Sequence, residues 1–205
     1  DPSKPSFTHP DFDPVWAGFA DSKTPFAIHV AANGDYQAVS PSFKNNGKSQ
    51  LALGGDAPAG ELGIMTIGSS AQLFLASLIF DGVFDRHPNL RAISMEHAGM
   101  WLPSWLHSLD FTARMFKRFR QFPEQPSEIA KRHIKVSPFA GEPVGWIIDQ
   151  VGPEMLVFAS DYPHPEGTND PIKRFEASMT NCDQSVMDAF YFGNMLEVMG
   201  VSAST

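Results

Sequence analysis

A carboxylate follows a buried, apolar run late in the chain. Residues 155–160 (MLVFAS) predict a strand, and Asp161 comes directly after them. The next residues, YPHPEG, are rich in proline and predict a loop. Because the carboxyl ends of parallel strands meet at one open edge of an α/β fold, we predict that Asp161 is catalytic. The structural alternative is a helix N-cap or an Asx-turn.

Two histidines occupy matching positions earlier in the chain. His29 is carried near the end of the apolar run FAIHV, and His97 follows the run LRAISM and one glutamate. A single histidine on such a strand is more often a core residue than a ligand. Two histidines and an aspartate at three strand ends instead predict a shared metal site. Imidazole and carboxylate suit zinc, whose catalytic sites keep one position for water. Asp161 can accept a proton from such a water, and His97 can stabilise a developing oxyanion.

Predicted strands alternate with predicted helices along the chain. The strands are predicted at residues 26–30, 90–95, 134–137 and 155–160. The longer helices are predicted at residues 15–22, 69–87, 102–119, 142–151, 171–180 and 184–199. This alternation predicts an α/β fold with a parallel sheet. No glycine-rich phosphate motif follows a predicted strand, so a nucleotide-binding doubly wound domain is not supported.

The composition predicts one globular domain over residues 1–205. The chain has 205 residues, of which 42% are hydrophobic, and this is enough for a sizeable core. Residues 1–14, with four prolines, are predicted to be a leading segment outside the packed fold. Residues 34–68, with seven glycines, are predicted to be a long loop or insertion.

The charge and the cysteine count limit the possible partners. A net charge of −8 and a pI near 5.2 argue against nucleic-acid binding. The single cysteine, Cys182, excludes an intramolecular disulfide and fits a reducing compartment. No apolar stretch is judged long enough to span a bilayer, and the leading segment lacks the pattern of a signal peptide. We therefore expect a cytoplasmic protein without membrane contact.

Four segments of the chain carry a family resemblance: IHVAANGD, SMEHAGMWLP, FASDYPHPEG and YFGNMLEVMG. Together they resemble the second half of the amidohydrolase-related metal-dependent hydrolases, in the branch that contains aminocarboxymuconate semialdehyde decarboxylase and the resorcylate decarboxylases. The resemblance runs from about residue 25 to residue 200. It implies a (β/α)₈ TIM barrel, of which this chain supplies about strands 5 to 8 and the C-terminal helices.

The resemblance also implies roles for three residues. His29 is implied to be a metal ligand, and Asp161 both a metal ligand and the proton acceptor. His97 is implied to lie beside the metal-bound water as a catalytic residue. The implied cofactor is Zn²⁺, with another divalent metal such as Mn²⁺ as the alternative.

One part of the family pattern is missing. Members of the family carry a His-x-His pair on the first strand, and this sequence contains none. A complete barrel has roughly 250 residues, and four strands alone would leave two sheet edges unpaired. We therefore expect the N-terminal half of the barrel in the same polypeptide or in a separate chain. Homo-oligomerisation is left open.

Several neighbouring residues are weaker candidates. Trp101, His164 and Glu166 follow predicted strands and are candidate contacts of a small-molecule substrate, with packing or solvation as the alternative. Glu96 is predicted to face away from the site of His97, because adjacent strand residues point to opposite faces.

Three functions follow from these residues. The leading interpretation is hydrolysis of a small polar substrate by a metal-activated water. The alternative is non-oxidative decarboxylation of an unsaturated or aromatic carboxylic acid, since the same metal site can bind a carboxylate. A third interpretation, of a different class, is a catalytically incomplete scaffold or fragment.

Overall fold

Three parallel strands form a sheet in the order β1-β2-β3. The computed structural model describes residues 3–30, 42, 47–49, 51, 60–164 and 167–201. The strands are β1 Phe26–His29, β2 Ala92–Met95 and β3 Ile134–Val136. His29 pairs with Met95 at the ends of β1 and β2, so these strands finish at the same edge. The predicted parallel sheet is confirmed.

The segment predicted as a fourth strand, residues 155–160, joins the sheet only briefly. Leu156 forms one parallel bridge with Val136, and the Val157 amide donates to the Val136 carbonyl at 3.0 Å. The next amide, that of Phe158, donates to the Phe190 carbonyl at 3.0 Å. This amide faces away from β3, because the N–H groups of successive residues in a strand alternate in direction. On the β3 side the ladder ends because Pro138, which would supply the next donor, has no N–H, so the segment lies beside β3 without forming a regular strand.

Ten α-helices surround the sheet in the described part of the chain. They are α1 Asp13–Ser22, α2 Gly60–Met65, α3 Ser69–Phe80, α4 Val83–Arg86, α5 Leu102–Met115, α6 Pro126–His133, α7 Val144–Val151, α8 Pro171–Glu176, α9 Gln184–Asp188 and α10 Asn194–Val198. A π-helical turn, Ala189–Gly193, joins α9 to α10. The helix predicted over residues 69–87 is interrupted, because Gly82 adopts a φ of 71° between α3 and α4.

The main core lies between the sheet and the helices on one face. Ala92, Ile134, Val136 and Leu156 are all 0% exposed and belong to one cluster, which includes apolar residues of α3, α5, α6 and α7. Side chains alternate along the strands, so their neighbours face the other side. There Ile93 and Val157 pack with Val198 of α10 in a smaller cluster. The helical layer thus fixes the sheet, and α10 covers part of its opposite face.

The leading segment is packed, contrary to the sequence prediction. The Phe7 ring stacks on Phe74 with centroids 4.4 Å apart. The Thr8 hydroxyl donates to the Asp81 carboxylate at 2.7 Å, and the Trp16 indole N–H donates to the Phe7 carbonyl at 2.9 Å. These contacts of one aromatic ring and one buried hydroxyl anchor the segment. The prediction of an unpacked segment relied on its four prolines, which do not reveal such contacts.

The predicted loop over residues 34–68 lies mostly outside the described residues, but its last part is helical. Residues 60–80 are long and apolar enough to cross a membrane by length and composition, with a mean hydropathy of 1.6. The expectation that no such stretch exists was wrong by these two criteria. The stretch comprises two helices, α2 and α3, and α3 buries Leu75, Leu78 and Ile79 in the core. This packing is typical of a core helix in a globular protein.

Candidate metal centre

Four side chains converge at the carboxyl edge of the sheet. His29 ends β1, Glu96 follows β2, and Asp161 and His164 follow the segment beside β3. His29 Nε2 lies 3.0 Å from Glu96 Oε1. His164 Nδ1 lies 3.9 Å from the same glutamate oxygen and 3.2 Å from Asp161 Oδ1. The parallel register therefore brings together polar groups from three distant parts of the chain.

The ring of His29 faces oxygen atoms with both of its nitrogens. Its Nδ1 lies 2.8 Å from the Val30 carbonyl oxygen, which can only accept a hydrogen bond. A neutral imidazole that donates from Nδ1 has no proton on Nε2. That atom nevertheless faces a carboxylate oxygen of Glu96 at 3.0 Å, so a proton or a cation must lie between them. Metal-binding histidines commonly hold their second ring N–H on a backbone carbonyl in this way.

Glu96 points into this cluster, which departs from the sequence prediction. β2 ends at Met95, and Glu96 has a φ of 58°. The alternation of side chains holds only within extended backbone, so it does not reach Glu96. Ala98 also has a positive φ, 59°, so His97 lies between two residues in a strained conformation.

Asp161 presents an oxygen that accepts no hydrogen bond from any described residue. This oxygen, Oδ2, is buried. The residue has a φ of 53°, which turns the chain into the loop. A Cβ at Gly167 would lie 2.2 Å from the Asp161 carbonyl oxygen, so the loop closes tightly on glycine. A buried carboxylate oxygen without a donor is costly, and such an atom is suited to bind a cation or a proton.

His97 is buried beside the cluster. It is 3% exposed, and its Nδ1 lies 3.1 Å from the Ser94 hydroxyl. Burial, together with the nearby charge of His29, lowers the pKa of His97 to about 4, although a hydrogen bond to the Met95 backbone opposes this shift. His97 is therefore uncharged near neutral pH and carries a lone pair that can accept a hydrogen bond.

The residues predicted to contact substrate are placed differently. His164 belongs to the cluster. The indole N–H of Trp101 donates to the carbonyl oxygens of His97 and Ala98, each at 2.9 Å, and so braces the turn that carries His97. A Cβ at Gly68 would lie 2.4 Å from the same indole, which shows how closely the ring is enclosed. Glu166 lies outside the described residues.

The cluster fits the geometry of a cation site. Ligand atoms of Glu96, Asp161 and His164 lie within 4.8 Å of one another. Protein ligands lie about 2.0–2.6 Å from a bound divalent ion, so two ligands of one ion are at most about 5 Å apart. One ion can thus reach all three residues, and His29 adjoins them through Glu96. Sequence reasoning missed Glu96 as a member of this group.

A family comparison places this site in context. The profile of the amidohydrolase family matches residues 1–197 of the chain. The chain belongs to the amidohydrolase family. This confirms the resemblance carried by the four sequence segments, and it agrees with a parallel α/β sheet whose polar groups gather at one edge.

A curated relative is a decarboxylase. 2-Amino-3-carboxymuconate-6-semialdehyde decarboxylase of Dictyostelium discoideum is 29% identical over 140 residues, which is 66% of this chain and 38% of the relative. The match therefore spans well under half the length of this relative.

Solved structures of amidohydrolase type share the fold. An amidohydrolase from Mycobacterium avium subsp. paratuberculosis K-10 superposes with a TM-score of 0.78 at 24% identity, covering 95% of this chain and 47% of that one. The 5-carboxyvanillate decarboxylase from Novosphingobium aromaticivorans, complexed with manganese and 4-hydroxy-3-methoxy-5-nitrobenzoic acid, superposes with a TM-score of 0.70 at 20% identity. That comparison covers 96% of this chain and 53% of the decarboxylase. This amidohydrolase chain spans about half of each solved chain.

Proposed function

We propose that this chain supplies the carboxyl-terminal half of the active site of a metal-dependent, non-oxidative decarboxylase that acts on a small aromatic or unsaturated carboxylic acid. The observation that carries the proposal is the Glu96 carboxylate between His29 and His164, with Asp161 beside them. The curated relative and the manganese-containing structure are both named as decarboxylases. This favours decarboxylation over hydrolysis, which led the sequence interpretation.

The residues proposed to hold a divalent ion are His29, Glu96, Asp161 and His164. Two carboxylates make this donor set richer in oxygen than the set predicted from the sequence. Carboxylate ligands suit Mn²⁺, whereas imidazole also suits zinc. Manganese is therefore the leading cofactor of the proposal, and zinc becomes the alternative. A bound divalent ion supplies positive charge that polarises the carboxylate or an adjacent oxygen of a substrate.

Decarboxylation requires one proton, because the bond from carbon to the carboxylate is replaced by a bond from carbon to hydrogen as CO₂ leaves. Asp161 Oδ2 is the proposed carrier of this proton, since it is buried and accepts no hydrogen bond from the described residues. His97 is proposed to act as an uncharged hydrogen-bond partner of a substrate hydroxyl or a water, because burial lowers its pKa to about 4 and so keeps the imidazole neutral. Both residues remain the catalytic candidates predicted from the sequence, but their proposed roles differ, because in that prediction Asp161 accepts a proton from a metal-bound water and His97 stabilises an oxyanion.

The substrate is proposed to enter at the carboxyl edge of the sheet. The side chain of His29 is 50% exposed there and that of His164 41% exposed. His164, Trp101 and Glu166 are proposed to line the pocket. Trp101 would act mainly through the turn that it braces.

The strands of this chain are proposed to be the fifth to eighth of a (β/α)₈ barrel. In the described residues β1 pairs only with β2, so its outer edge is open to another strand. The solved chains reported above are about twice as long as the part that superposes. The first four strands, with further metal ligands, would come from the rest of the same polypeptide or from a second chain.

Isotope labelling distinguishes the candidate functions. The natural polypeptide that contains this chain is incubated with Mn²⁺ and with aromatic and unsaturated acids labelled with ¹³C in the carboxyl group. Release of ¹³CO₂ that is lost in Asp161→Asn supports decarboxylation. A product that gains one water, with ¹⁸O from labelled solvent, supports the hydrolase alternative. If neither product forms and no metal is bound, the remaining interpretation is a catalytically incomplete scaffold.

A further inference from the structure

Glu142, which lies outside the cluster, ties together the loops that follow β2 and β3. Its carboxylate accepts hydrogen bonds from the backbone N–H groups of Gly99, at 2.9 and 3.0 Å, and Met100, at 2.8 Å. It also accepts the Phe139 N–H at 2.6 Å. Three backbone donors therefore converge on one side chain.

The two loops are in direct contact where Glu142 joins them. A Cβ on Gly99 would lie 3.1 Å from Cβ of Pro138 and 3.5 Å from Ile147. Just before Gly99 the chain passes through Glu96 and Ala98, both with positive φ. Residues held in such a conformation persist only where the surroundings fix them. Glu142 fixes the downstream end of this strained turn.

Glu142 is held in a desolvated position. Burial raises the pKa of its carboxyl group, although the three backbone N–H groups act in the opposite direction. An ionised carboxylate is tolerated in this buried position because hydrogen bonds to a charged acceptor are stronger than those to a neutral one. Replacing the charged carboxylate of Glu142 with a neutral group weakens these hydrogen bonds, although the three backbone N–H donors remain in place.

The geometry points to Glu142 as a positioning residue: through Gly99 and Met100 it holds the strained turn that aims Glu96 at His29 and keeps His97 beside them. It does not touch the cluster itself. This inference rests on the proposed function only for its effect on metal binding and turnover. The effect on the turn is independent of that function.

The test compares two carboxylates that cap backbone N–H groups. Asp110 is the control, because it accepts from the Ser127 N–H at 3.0 Å and from its hydroxyl at 2.8 Å, away from the cluster. Glu142→Gln and Asp110→Asn are made in the natural polypeptide. Mn²⁺ affinity is measured by the EPR signal of free Mn²⁺, and the imidazole resonances of the metal-free proteins are recorded by NMR.

We expect Glu142→Gln to weaken Mn²⁺ binding roughly tenfold or more, the usual size of an effect on residues that orient ligands. It should also shift the ring resonances of His29 and His97. Asp110→Asn should lower the unfolding temperature without either change. A purely structural role for Glu142 would lower the unfolding temperature alone, and that result overturns the inference.

Two further outcomes are informative. If the unsubstituted protein binds neither Mn²⁺ nor Zn²⁺, the proposed metal function fails, and the ring resonances alone decide the role of Glu142. If Glu142→Gln does not fold, Glu142→Asp takes its place, because it keeps the charge on a shorter side chain. Failure of both variants to fold assigns Glu142 to stability and overturns the inference.

Discussion

His29 Nε2 lies 3.0 Å from Glu96 Oε1, across the ends of two neighbouring parallel strands. The other nitrogen of the ring is held by the Val30 carbonyl at 2.8 Å. This pair defines the cluster, because His164 approaches the same glutamate oxygen from the loop that follows Asp161. The relationship depends on the positive φ of Glu96, which turns its side chain towards β1.

Glu96→Gln tests the charge at the centre of this relationship. The amide has nearly the shape of the carboxylate but carries no charge and is a weaker metal ligand. We expect the dissociation constant for Mn²⁺ to rise roughly ten- to a hundredfold, measured by EPR of the free ion. Glu128→Gln, on the exposed face of α6, is the control and should bind as the unsubstituted protein does. Unchanged affinity in Glu96→Gln would remove this residue from the site.

Gly167→Ala tests the loop that carries Asp161. The new Cβ would lie 2.2 Å from the Asp161 carbonyl oxygen, so the loop must shift. We expect a loss of metal affinity and a destabilisation of about 1–3 kcal/mol, as for other overpacked positions. Gly18→Ala is the matched control, because nothing lies within 4 Å of its added Cβ in α1. That variant should be slightly more stable, since alanine is the better helix former. Equal metal affinity in both variants would contradict the role given to the loop.

His133 makes stability depend on pH. It is 3% exposed, its ring stacks on Phe84, and its Nδ1 lies 2.7 Å from the Leu90 carbonyl. Burial lowers its pKa below the ordinary value of 6.5. The unfolded chain then binds a proton on His133 more readily than the folded protein does. The contribution of His133 to the free energy of unfolding is therefore fully present above about pH 6.5 and is lost as the pH falls towards the lowered pKa.

Urea unfolding between pH 8 and pH 5 measures this effect. Each histidine of this kind contributes a slope of at most about 1.4 kcal/mol per pH unit. His133→Gln should be less stable at pH 8, because it loses the ring stacking, but its stability should fall less steeply with decreasing pH. His107→Gln, at an exposed position of α5, should keep the original slope. Parallel slopes for all three proteins would argue against the buried imidazole as the cause.

The positions of His29, His97 and Asp161 could be predicted from sequence because each follows an apolar run. Strand periodicity and the parallel connection are local signals, and together they put the three residues near one edge. The roles of these residues stay predictions. The position of Glu96 could not be predicted in the same way. The direction of its side chain depends on a left-handed backbone conformation. A sequence signals this conformation only where the residue is one that favours it, such as glycine, and glutamate does not.

Two larger features also depend on tertiary contacts that periodicity does not reveal. The run of residues 155–160 has the composition of a strand, but it pairs with β3 only at Leu156, because Pro138 has no N–H with which to continue the ladder. The leading segment has the composition of a loop, yet Phe7 finds a stacking partner in Phe74. In both cases a distant residue, not the local sequence, decides the structure.

The most direct test of the metal centre is the metal content of the natural polypeptide and of its Asp161→Asn variant, measured by inductively coupled plasma mass spectrometry with intact masses recorded alongside. The proposal requires about one manganese or zinc ion per complete barrel, and loss of most of that metal in the variant, because an amide is a weaker metal ligand than the Asp161 carboxylate. A protein without metal, or one whose metal is unaffected by Asp161→Asn, would contradict it.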